Sequence, residues 1–125
     1  MRISQYWVVL DKKISLKDKN TFKWSLPDLL EGYWSVLAWV MTVDSGKLDV
    51  TFRLNGNEVY KGHFGEGHRY MAMHEALAPG ALVSSENVLS VQGKPDPSAD
   101  DFDKAWALTI SDIVVWYQAS ASSER

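Results

Sequence analysis

From Leu48 to Asn55 the chain alternates strictly. Leu48, Val50, Phe52 and Leu54 fall on one side, and Asp49, Thr51, Arg53 and Asn55 on the other. That period of two predicts a half-buried β-strand with a defined inner face. Asn55-Gly56 follows it, and both central residues of a type I′ turn need positive φ, so this pair predicts a tight hairpin returning through Glu58–Lys61. Upstream, Trp34, Val36, Ala38 and Val40 share one side and Leu37, Trp39, Met41 and Val43 the other. A strand apolar on both faces belongs in the middle of a sheet.

The rest of the chain has the same character. Ile3–Leu10 is rich in aromatic and β-branched residues and stops at Asp11-Lys12-Lys13. Phe22 and Trp24 make a short alternating piece, and Pro27 to Gly32 fits a single helical turn. Asp44–Lys47 is a turn, Gly62–His68 a glycine-rich loop, and Tyr70–Glu75 an extended segment with Met71 and Met73 inward. Ala78-Pro79-Gly80 is a corner, Asn87–Gln92 a strand and Lys94–Asp103 an exposed loop. Ala105–Gln118 closes the fold. Its alternation through Trp106, Leu108 and Ile110 changes phase at Asp112 and resumes at Ile113, Val115 and Tyr117, which predicts a bulge. Seven or eight strands with at most one helical turn predict an all-β protein, an antiparallel β-sandwich of the jelly-roll type. At 125 residues the chain is expected to be one domain over residues 1–119, with a flexible tail over 120–125.

Composition narrows the function classes. There is no cysteine, so disulfides and thiolate metal sites are excluded. A net charge of −3 argues against a nucleic-acid binder, and the basic cluster Lys12, Lys13, Lys17, Lys19 and Lys23 is interrupted by Asp11 and Asp18. The apolar run Tyr6–Leu10 is too short for a secretory signal, and Tyr33–Val43 too short for a membrane helix, so a soluble, cytoplasmic protein is expected.

The segments Val50–Val59 (VTFRLNGNEV), Gly62, Ala78-Pro79-Gly80 and Glu86–Val91 (ENVLSV), with the closing Ile110–Tyr117 (ISDIVVWY), carry a family resemblance. Together they resemble the galactose-binding-domain-like jelly roll, in the form of the accessory sugar-binding domain of large glycoside hydrolases. The chain departs from that pattern in two places. Tyr70–Glu75 (YMAMHE) shows no counterpart of the family's acidic residue, and Ala81–Ser85 stretches the corner. The resemblance implies a β-sandwich, a carbohydrate as ligand, and a structural calcium, for which Asp96, Asp100, Asp101 and Asp103 would offer oxygens.

Candidate chemistry is concentrated in aromatic residues and one loop. Trp34, Trp39, Trp106 and Trp116 alternate within strands and are expected in the core. Trp24, flanked by Lys23 and Ser25, is the expected exposed ring, and Trp7 beside Tyr6 reads either way. Tyr60, His63, Phe64, Glu66, His68, Arg69 and Tyr70 bring aromatic faces and charged donors to the glycine-rich loop. With Trp24 they form the expected ligand-binding set. His63, Glu66 and His68 match no zinc spacing, so no metal site is expected. No nucleophile elbow or phosphate loop is present, and the protein reads as a non-enzyme. The expected function is a binding module for a carbohydrate or similar polar ligand. The alternative is a structural β-sandwich that assembles into a homo-oligomer or larger complex through surplus apolar surface, with no nucleic-acid or membrane partner.

Overall fold

The computed structural model describes residues 1–17, 19–65, 70–98 and 105–121. Among them run nine strands and no helix: β1 (Arg2–Leu10), β2 (Ile14–Ser15), β3 (Lys19–Trp24), β4 (Ser35–Ser45), β5 (Lys47–Leu54), β6 (Asn57–Gly65), β7 (Met71–Leu77), β8 (Asn87–Pro95) and β9 (Ala107–Ser120). One sheet has the order β1-β9-β4-β7, with β2 also on β9, and the other β3-β8-β5-β6. All pairings are antiparallel, and β1 with β9, β3 with β8, β4 with β7 and β5 with β6 nest inside one another. That nesting is compatible with a jelly roll, a long hairpin folded over into two facing sheets. No helix among the described residues is long and apolar enough to cross a membrane.

The core lies between the sheets. Leu48, Val50, Phe52 and Leu54 of β5 face Leu37, Trp39, Met41 and Val43 of β4, and all eight are buried. β4 does lie in the interior of its sheet, between β9 and β7. Trp39 sits against Phe52, with ring centroids 4.3 Å apart, and meets Tyr60 edge-on at 5.0 Å. Trp106 lies over Gly93, where a Cβ would come within 2.7 Å of the indole.

The turns show why the chain reverses where it does. Asn55 and Gly56 have φ of 52° and 87°, the signs a type I′ turn requires. The Asn55 amide is also used: Nδ2 donates to the Ala81 carbonyl at 2.9 Å and to Asn87 Oδ1 at 3.1 Å, and Oδ1 accepts from the Val88 N–H at 2.8 Å. Asp112, with φ of 53°, is the expected bulge in β9: from Ala38–Val114 to Val40–Ser111, β9 advances three residues for two of β4. Residues 27–32 form turns rather than a helical turn. They are held to β9 by Leu30 N–H to the Gln118 carbonyl, Ser120 N–H to the Asp28 carbonyl and the bridge Leu29–Ala119.

The hydroxyl of Tyr117, a buried residue of β9, donates to Asp28 Oδ1 at 2.9 Å. Burial first, then this hydrogen bond and the Asp28 charge, push the Tyr117 phenol up to about 12. The folded state thus holds a proton that an unfolded tyrosine releases near pH 10. The resulting stabilisation is complete below about pH 10 and is lost as the pH rises towards 12. Urea titrations at a series of alkaline pH values should show that decline, and Tyr117→Phe should flatten it. An equally steep decline in the variant would assign it to other groups.

Candidate functional site

The described members of the expected ligand set are divided between the core and the surface. β6 continues through His63, Phe64 and Gly65 because β5 extends back to Lys47 and pairs with it, so Gly62–Gly65 is strand rather than loop. Tyr60 and Phe64 stand opposite Phe52 and Leu48 and pack on the core. His63 stands opposite Asp49, on the outer face of the same sheet. Trp24 is buried and packs in the core: inside an alternating strand, polar neighbours on both sides are what an inward residue has. Tyr70 is exposed, with φ of 53°, and its N–H donates to Thr42 Oγ1 at 3.0 Å. Glu66, His68 and Arg69 lie outside the described residues, as do Asp100, Asp101 and Asp103.

What the structure does bring together is apolar and faces outward. On the outer side of the β1-β9-β4-β7 sheet, Tyr6 pairs with Trp116, Trp116 with Val36, and Val36 with Ala76. The next register reads Val8, Val114, Ala38 and His74, and beyond it Ser111, Val40 and Ala72. These three registers contain no Asp, Glu, Lys or Arg. Four strands at about 4.8 Å spacing make the longer rows about 14 Å across.

Tyr6 is 54% exposed, Trp116 49%, and Trp34, just ahead of β4, 64%. The two partners in the first pair touch, with ring centroids 5.1 Å apart and planes tilted by 43°. Trp34 and Trp116 are therefore not core residues, whereas Trp39 is buried and Trp106 partly so. β4 is apolar on both sides over Val36–Met41, β9 is apolar on its outer side at Val114 and Trp116, and the sandwich covers only one side of each. Beside this face Arg2 lies over the Tyr33 ring, 4.7 Å from its centroid.

An outer sheet face usually alternates to polar residues. Here the outer side turns apolar over Val36–Val40 of β4, at Val114 and Trp116 of β9, and at Tyr6 and Val8 of β1, an edge strand. An exposed apolar patch of this kind, with aromatic rings among small residues, has the composition of a recognition surface. A notch of about 500 Å³ adjoins it, lined by Gln5, Tyr6, Trp7, Pro27, Asp28 and Tyr117. The chain matches no protein-family model and no curated protein.

Proposed function

We propose that the protein is a non-catalytic interaction module whose outer β1-β9-β4-β7 face packs against a second copy of itself. One observation carries the reading: Tyr6, Trp116 and Val36, followed by Val8, Val114 and Ala38, face outward with no charge among them. Two such faces can close on each other about a twofold axis without desolvating an ion pair. The free edge at β1 gives the second copy a further place to align. At the centre of such a contact, Tyr6 and Trp116 would be the anchoring rings.

Sedimentation velocity across a wide concentration range tests this reading. Wild type should associate reversibly, and Trp116→Lys, which places a charge in the middle of the face, should sediment as a monomer at every concentration. Its thermal midpoint should change little beyond the loss of the contact with Tyr6, since Trp116 is half exposed. Wild type that stays monomeric at the highest concentrations would overturn the proposal.

A second reading rests on the same rings. The nested strand order fits the galactose-binding-domain-like resemblance, and the exposed faces of Tyr6, Trp34 and Trp116 could stack on pyranose rings. On this reading carbohydrate is recognised on the sheet face rather than at the glycine-rich segment. A monomeric protein whose unfolding midpoint rises with one class of oligosaccharide, and no longer does so in Trp116→Lys, would favour it.

A further inference from the structure

On the opposite sheet, away from the apolar face, three potential metal ligands converge. Asp49 of β5 and His63 of β6 are direct cross-strand partners, and Asp96 follows the end of β8, its N–H donating to the Lys47 carbonyl at 3.1 Å. One ligand atom from each of Asp49, His63 and Asp96 lies within 4.8 Å of the other two. His63 Nδ1 is 2.5 Å from Asp49 Oδ1 and 4.0 Å from Asp96 Oδ2. His63 and Asp96 line a concavity of about 200 Å³ together with Lys47, Phe64 and Gly65.

Asp49 is the unusual member. Its side chain is only 5% exposed, against 67% for His63 and 21% for Asp96. A carboxylate has acceptor capacity for about four hydrogen bonds. Among the described residues, His63 Nδ1 is the one hydrogen-bond partner that Asp49 has. Its second oxygen is not among the buried polar atoms left without a partner, so it keeps the access to solvent that an incoming cation needs. Asp96 is oriented in a complementary way: its Oδ1 accepts from both the N–H and the hydroxyl of Ser98, at 2.8 and 2.7 Å, so Oδ2 is the oxygen on the His63 side.

We propose that Asp49, His63 and Asp96 bind a divalent late first-row transition-metal ion, with zinc as the probe. One imidazole nitrogen and two carboxylate oxygens are a donor set that zinc accepts, with a fourth position left for water or a ligand. Ligand atoms at zinc distances in a tetrahedron stand about 3.3 Å apart. The 2.5 Å and 4.0 Å separations lie on either side of that value, so small side-chain rotations suffice. The ion takes the place of the His63–Asp49 hydrogen bond, binding the nitrogen and the oxygen that now face each other. Calcium is disfavoured, because it takes six to eight oxygens and the histidine would contribute none. The ion would tie β5, β6 and the chain after β8 together at their outer surface.

The test is calorimetric titration of the full chain with zinc chloride in a non-chelating buffer, with thermal unfolding followed in parallel. Wild type should bind one zinc per chain and unfold at a higher temperature in its presence. His63→Gln and Asp96→Asn should each weaken binding by roughly tenfold or more, since losing even a group that supports a metal ligand costs that much and these variants change the ligands themselves. Asp96→Asn keeps an oxygen for Ser98 and should unfold near wild type without zinc, whereas His63→Gln removes the imidazole partner of Asp49 and is read by binding heat rather than by stability. Asp49→Asn should also abolish binding, but its burial makes the other two variants the decisive ones. Absence of zinc-dependent heat and stabilisation in wild type would overturn the proposal. So would stoichiometric binding that persists unchanged in both His63→Gln and Asp96→Asn.

Discussion

Replacing Trp39 by Ala is expected to lower the unfolding free energy by about 3–5 kcal/mol, the cost typical of emptying a large aromatic site in a closed core. Trp39 is the largest of the fully buried side chains and lies between the sheets, in contact with Phe52 of β5 and Tyr60 of β6. Those two rings also meet edge-on at 5.8 Å, so the truncation opens one side of a three-ring cluster rather than an isolated slot. The surrounding elements are paired strands, which cannot close inward without breaking register. Trp39→Phe should cost well under half as much. It keeps a ring against Phe52, and it removes an indole N–H that has no hydrogen-bond partner. Urea denaturation of both variants checks this. A Trp39→Ala loss below about 1 kcal/mol would mean that the three rings do not pack as a unit.

The second large effect is expected at Asn87, where Asn87→Ala should cost about 3 kcal/mol. Asn87 is completely buried at the start of β8. Its Oδ1 accepts from the Val83 N–H at 2.9 Å and from Asn55 Nδ2 at 3.1 Å, and its Nδ2 donates to the Val83 carbonyl at 2.8 Å. Alanine removes one side of these bonds and of the longer one from Nδ2 to the Trp24 carbonyl at 3.5 Å, and it leaves the Val83 peptide groups with nothing to replace them, at about 1–3 kcal/mol for each group stranded. Asn87→Asp is nearly isosteric and should still be severe, because an ionised carboxylate cannot donate to the Val83 carbonyl and would be buried without a cation. Denaturant midpoints for the two variants decide the matter. If Asn87→Asp were tolerated at neutral pH, the amide would not be acting as a donor there.

Much of this architecture is legible in the sequence, for identifiable reasons. The Asn55-Gly56 turn announces itself because few other residue pairs tolerate two positive φ values, and the β9 bulge because a change of phase has no other simple cause. The inner face of β5 is unambiguous since its opposite face is polar. Ambiguity begins where both faces of a strand are apolar. Trp39 and Trp116 have similar neighbours in sequence, and only the position of the second sheet decides that one is buried and the other exposed. The Asp49–His63 pair was hidden by a different effect. Counting outward from the hairpin turn places Asp49 opposite Gly62, but a register shift between Phe52 and Arg53 moves it opposite His63. No residue in that stretch marks the irregularity. Asp96 joins the pair only through the return of β8, which no local pattern encodes.

The nesting of the strands also has a consequence in time. β5 and β6 meet across a two-residue turn and can form at once. Each pair outside them waits for a longer loop to close, and Ser4 finds Gln118 across a separation of 114 positions. During synthesis β1 emerges first and its partner β9 last. The apolar residues of β1, Tyr6, Trp7 and Val8, must therefore stay unpaired until β9 has been made. A cell producing this protein has to keep that strand from neighbouring chains for as long as it takes to synthesise everything between β1 and β9.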